Sequence, residues 1–197
     1  MNHEQLMKFC NPNDIRHYCA APQLMPDGRV CATNGHIFIL AEKYDGGAVC
    51  PAIPENIGAT VLKNVAAIGD AKDWASIESL GIVLDKCGEC HGVGTVTSHE
   101  CDDCDGRGEF AHGNHDYECA ECDGTGRVRH KVPTTCDVCR GTGHAATPIP
   151  IAGMNDGVGV DGKYLSMFPA GAEYCGDQSH VLVRGDGFVG AVMGYRL

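Results

Sequence analysis

The sequence predicts an α+β fold in which a metal-held β-hairpin arm interrupts one small domain of short helices packed on antiparallel sheet. Three patterns carry this expectation. The first is an internal repeat: CGECHGVG from Cys87, CDDCDGRG from Cys101, CAECDGTG from Cys119 and CDVCRGTG from Cys136. These are four copies of C-x-x-C-x-G-x-G, starting 14, 18 and 17 residues apart. The second is a set of short apolar runs bounded by Gly, Pro, Asn and Asp, the mark of antiparallel strands. The third is a stretch of helical period over residues 55–71.

Taken in chain order, HEQLMKFC reads as a short amphipathic helix that ends at Asn11-Pro12, where proline punctuates. NDIRHYCAA (13–21) and GRVCATNGHIFILAE (28–42) read as consecutive strands, with Pro26-Asp27-Gly28 as their turn. ENIGATVLKNVAAIGDA (55–71) reads as a helix with Leu62, Val65, Ala66 and Ile68 near helical spacing. SLGIVLD (79–85) reads as a strand leading into the first repeat, and ATPIPIAG (146–153) as its returning partner. The cysteine-rich segment 87–143 then takes the place of a hairpin tip, and residues 1–86 and 144–197 complete one discontinuous domain. DGKYLSMF reads as a short helix, and HVLVRGDGFVGAVMGYRL as two strands turning at Gly185-Asp186-Gly187.

Composition limits the chemistry. No 18-residue apolar run is present, and the start MNHEQLMKFCNPND lacks a basic segment followed by an apolar core. A cytoplasmic location is therefore expected, with no membrane partner. Thirteen cysteines in a reducing compartment are better read as metal ligands than as a disulfide scaffold. Residues 87–143 carry 5 Lys/Arg against 11 Asp/Glu, and eight thiolates around two divalent ions would add further negative charge. Such a segment repels a phosphate backbone, so DNA is not its expected partner.

Between its cysteines the segment is polar and glycine-rich, with Phe110 and Tyr117 as its only aromatics. It cannot build an apolar core that offsets chain entropy. Metal binding can, at on the order of 10 kcal/mol per structural zinc. In C-x-x-C a tight turn brings both sulfurs to one ion, and the glycines behind them permit positive φ and point amides at sulfur. Two such knuckles complete a closed tetrahedral Cys₄ site, and four make two sites. Spacing alone allows sequential or nested pairing of the knuckles. The competing readings are disulfides, thioredoxin-like redox pairs, which need a neighbouring βαβ unit, and iron–sulfur ligation, whose usual spacings differ.

The repeats closely resemble the cysteine-rich domain of the DnaJ-type co-chaperones, over about 57 residues. That resemblance implies a bent pair of β-hairpins and nested pairing. One zinc would be held by Cys87, Cys90, Cys136 and Cys139, the other by Cys101, Cys104, Cys119 and Cys122. The J-domain tripeptide His-Pro-Asp and a Gly/Phe-rich linker are absent from the sequence, so stimulation of a chaperone ATPase is not implied.

The flanks resemble one domain of the bacterial sliding clamp, the beta subunit of DNA polymerase III. The family's DIRYYL strand is matched by residues 14–19 (DIRHYC) and its ATDGHRLA strand by residues 32–38 (ATNGHIF). Its F-N-V-x-Y-L helix start is matched by VGVDGKYL (158–165) and its closing V-M-P-M-R-L by VMGYRL (192–197). The matches keep the family's order and span about 140 residues with gaps. They imply a two-helix, antiparallel-sheet domain completed by both flanks. A clamp ring has six such domains, so encircling DNA would require a hexamer of this chain.

Outside the repeats, Cys19 and Cys31 are expected to be buried small hydrophobes. His91, His99, His112, His115, His130 and His144 are read as solvated, since four knuckles already fill two sites. Asp102, Asp103, Asp105 and Glu109 are read as a solvated acidic face, and no phosphate-binding glycine motif occurs. The expected function is a non-enzymatic, zinc-binding interaction module with a protein partner. The alternatives are a DNA replication or repair accessory factor that oligomerises into or binds a sliding clamp, and a thiol–disulfide oxidoreductase.

Overall fold

Apolar runs on either side of residues 86–145 meet in a seven-stranded sheet that is covered on both faces. The computed structural model describes residues 1–113 and 115–197. It is mixed α/β, mostly sheet with few helices, and divides into two units, Met1–Asp85 with Ala146–Leu197, and Lys86–Ala145. In the first unit, β1 (Gln23–Leu24), β2 (Val30–Thr33), β3 (Ile37–Ala41) and β4 (Ala75–Ser76) join three later strands. These are β11 (Glu173–Asp177), β12 (His180–Gly185) and β13 (Phe188–Met193), and the order is β1-β2-β3-β13-β12-β11-β4, antiparallel throughout.

Alternation along the strands feeds two cores. Val30, Ala32, Ile37, Ile39, Val181 and Val183 face one, with Leu6, Phe9, Val160, Leu165 and Phe168. Cys31, Phe38, Leu40, Leu182 and Ala191 face the other, with Met25, Ile53, Val61 and Ile68. Burial on both sides explains why these strands read as nearly continuous apolar runs. Each fully buried aliphatic or aromatic side chain contributes roughly 1.5–3 kcal/mol, so the first unit is held by its own interior.

Helix α1 (His3–Met7) opens with a capping box in which the Asn2 side chain accepts from the Gln5 amide and Gln5 accepts from the Asn2 amide. Helix α2 (His17–Ala20) occupies a stretch expected to be strand. The Asp14 carboxylate accepts from the Arg16 amide and guanidinium, turning the chain just before the helix. The Pro26-Asp27-Gly28 turn therefore joins β1, not residues 13–21, to β2. The expected single strand 28–42 is a hairpin, broken where Asn34 accepts from the His36 and Ile37 amides. Cys19 is buried as expected but lies in α2, whereas Cys31 is buried in β2.

Helix α3 (Glu55–Asp70) covers the second core. Its apolar stripe runs through Ile57, Val61, Val65 and Ile68, of which Val61 and Ile68 are buried, while Leu62 is left exposed. Gly58 sets that face, because a Cβ there would press on Ile53. Residues 79–85 form no strand. A 3₁₀ turn over Ile77–Leu80 is capped by the Ser76 hydroxyl and closed by Gly81 in the left-handed region. The expected hairpin between 79–85 and 146–151 is accordingly not formed. Instead β9 (Pro148–Pro150) pairs with β10 (Val158–Asp161), which pairs with β14 (Tyr195–Arg196). Pro148 and Pro150 lack N–H groups on the edge of β9 that faces away from β10, so that edge cannot take a partner. Helix α4 (Gly162–Leu165) starts at Asp161, which accepts from the Lys163 amide and holds the buried Lys163 ammonium at 3.0 Å.

In the second unit, β5 (Thr95–Glu100) pairs with β8 (Arg127–Thr135), and β6 (Glu109–His112) with β7 (His115–Glu118). The interior is sulfur. Four cysteines with Val96 packed on them make one cluster, and four with Val128 make the other. Among the described residues, no helix is long and apolar enough to cross a membrane.

Candidate metal centres

Each knuckle repeats one backbone device. The residue after the second cysteine is left-handed although it is not glycine: His91, Asp105, Asp123 and Arg140 have φ of 52, 49, 48 and 56°. The two glycines that follow are also at positive φ. This curl turns the last glycine's amide back onto the second cysteine. Gly94 donates to Cys90 Sγ, Gly108 to Cys104 Sγ and Gly126 to Cys122 Sγ, each at 3.2 Å, and Gly143 to Cys139 Sγ at 3.3 Å.

Knuckles then pair back to back. Cys87 N–H donates to Gly143 O and Cys136 N–H to Gly94 O, both at 2.9 Å. Cys101 N–H donates to Gly126 O at 2.9 Å and Cys119 N–H to Gly108 O at 2.7 Å. These reciprocal bonds join the first repeat to the fourth and the second to the third. The closing glycines meet backbone to backbone, and a Cβ on Gly94, Gly108, Gly126 or Gly143 would run into the carbonyl of Gly141, Gly124, Gly106 or Gly92 respectively.

The result is two buried tetrads: Cys87, Cys90, Cys136 and Cys139, and Cys101, Cys104, Cys119 and Cys122. Within each, all four sulfurs lie within 4.8 Å of one another. Cys87 and Cys136 are 3.9 Å apart, Cys90 and Cys139 3.6 Å, and both pairs of the second tetrad 3.8 Å. Sulfurs bound at about 2.3 Å to one tetrahedral ion stand about 3.8 Å apart, so the donor sets could each hold such an ion. All-thiolate coordination is compatible with zinc.

The proton affinities are split along the same lines. Burial pushes the Cys101 and Cys136 thiols up to about 12 and raises Cys119. Burial acts the same way on Cys90 and Cys104, but amide donors overcome it. Gly94 and Gly92 bring Cys90 down to about 7, and Gly108 lowers Cys104. Cys90 and Cys104, the second cysteines of their knuckles, are thus readied as thiolates, whereas Cys101, Cys119 and Cys136 hold their protons more tightly.

Three of the arm's histidines, His99, His130 and His144, are not simply solvated, and the Nδ1 of His144 is shut off from solvent. His99 and His130 are half-buried, with Nδ1 and Nε2 3.2 Å apart and ring centroids 4.8 Å apart. Nothing in their spacing announces this; the β5–β8 register alone brings them together. A groove of about 660 Å³ also runs beside β5, lined by Val93, Thr95, Val96, Thr97, Pro133 and the first knuckle. Comparison with protein-family models, curated proteins and solved structures finds no match to this chain.

Proposed function

We propose that the protein is a non-catalytic binding module in which two structural zinc ions hold a β arm that takes up an extended segment of a partner protein. The observation that carries this reading is the closure of both tetrads. An ion with four buried thiolate ligands keeps no position for water or substrate, so its work is structural. Cys87, Cys90, Cys136 and Cys139 would hold one ion and Cys101, Cys104, Cys119 and Cys122 the other. Four of the five thiols outside the repeats fit the same reading. Burial holds Cys10 and Cys31 up at about 12 and raises Cys19 and Cys175, keeping them protonated and poor nucleophiles.

Strand β5 supplies the binding mode. Among the described residues it pairs with β8 alone, which leaves one edge for a further strand, and the groove that exposed Val93 lines spans β5 and β8. An extended peptide can add there as a strand and place alternate side chains against Val93 and Pro133. The resemblance of the repeats to a co-chaperone domain, and of the flanks to a sliding-clamp domain, supports a binding role over catalysis.

Affinity purification from cell extract tests this with the full chain, a version in which a short turn replaces residues 87–143, and Val93→Asp. The expected result is a partner set recovered by the full chain and lost by both variants, with two zincs retained in Val93→Asp. Identical partner lists from the full and arm-replaced chains would overturn it.

A further inference from the structure

We propose a third metal site in the arm, formed by His99 Nδ1 and His130 Nε2, which takes an exchangeable divalent transition ion of the zinc class. Imidazole nitrogens bound at about 2.0–2.1 Å to one tetrahedral ion stand roughly 3.3 Å apart. The observed separation is 3.2 Å, with the rings inclined by 30°. Imidazole is a favoured donor for zinc, copper and nickel.

The backbone explains why the two meet. Val128 is directly opposite His99 in the ladder, and His130 lies two residues further along the same face. Beyond this point the pairing breaks: residues 130–133 of β8 stand against Thr97 alone before Val96 pairs with Thr134. His130 is thereby released from the regular ladder to lean across onto His99. Val128 packs on the second tetrad and Val96 on the first, so the histidine pair lies along the ribbon between the two tetrads. The cations on the ribbon are Arg127, Arg129 and Lys131, of which Lys131 is exposed. The Arg127 guanidinium is held by Glu89 at 2.7 Å and by Ser98, and Arg129 is exposed.

Two protein ligands leave the other positions to water, so this ion binds more weakly than those in the tetrads and exchanges freely. Once bound, it ties β5 to β8 where their hydrogen-bonded ladder is interrupted. The arm would therefore stiffen as the free zinc concentration rises.

The test uses the full chain carrying two zincs, dialysed against increasing micromolar Zn²⁺, with bound metal and protein both measured. The expected ratio rises from two to three, and His99→Asn and His130→Asn each hold it at two. Both variants must retain two zincs, which shows that their tetrads are assembled. Hydrogen exchange over 96–99 and 128–134 should slow with the third equivalent in the native chain only. Imidazole ¹⁵N shifts of His99 Nδ1 and His130 Nε2 should move together. A ratio that stays at two, or a third ion that persists in both variants, would show a hydrogen-bonded pair only and overturn the proposal.

Discussion

Gly126 shows how narrowly a single position can be specified. It holds φ of 73°, donates its amide to Cys122 Sγ, accepts from the Cys101 amide and lies against the carbonyl of Gly106. A side chain there would meet that carbonyl while also paying about 1–2 kcal/mol for left-handed backbone. Since 1.4 kcal/mol is a factor of ten, Gly126→Ala is expected to weaken metal binding at the second tetrad at least about tenfold. Gly88 has ordinary φ and open space around its Cβ position, so Gly88→Ala should change neither tetrad. Competition with a chromophoric chelator reads both affinities; equal values for the two variants would refute the assignment. The glycines were legible in the sequence as positive-φ positions. Their second duty, meeting backbone across a knuckle pair, was not, because it depends on which repeats become partners.

At the level of elements, knuckles and sheets are stabilised by different physics. Strands β5–β8 bury almost nothing but sulfur and the two valines, so their order should depend on the ions. Strands β2, β3, β12 and β13 bury apolar side chains on both faces and need no metal. Excess chelator under reducing conditions is therefore expected to bring residues 86–145 to unprotected hydrogen exchange while the central sheet stays protected. Protection in the arm that survives removal of both ions would contradict this. The same contrast explains where element reading succeeded. Helix α3 and the β12–β13 hairpin announce themselves by period and by the turn at Asp186-Gly187. Residues 13–21 mislead because a side-chain turn from Asp14 to Arg16 redirects an apolar stretch into helix α2. Residues 79–85 mislead because an apolar run says nothing of whether a strand is free to pair with it.

For the whole molecule, two units with separate interiors imply separable stability. Lys86 and His144 bridge antiparallel, closing the second unit on itself. Replacing 87–143 by a short turn is expected to leave the remainder with one cooperative thermal transition, within a few degrees of its melting point in the chain stripped of metal. Calorimetry checks this, and loss of the transition would show that the first unit depends on the arm. The sequence by itself determined the four knuckles, the eight cysteines that could hold metal, the want of an apolar core in the polar segment that carries them, and the long helix. Those follow from local chemistry: spacing, φ and side-chain polarity within a few residues. Only the tertiary structure decided that first joins fourth and second joins third, that β9 belongs to β10, that the sheet is covered on both faces, and that His99 meets His130. Each of these is a choice among partners distant in the chain, settled by which backbone groups remain unpaired and which surfaces remain to be buried.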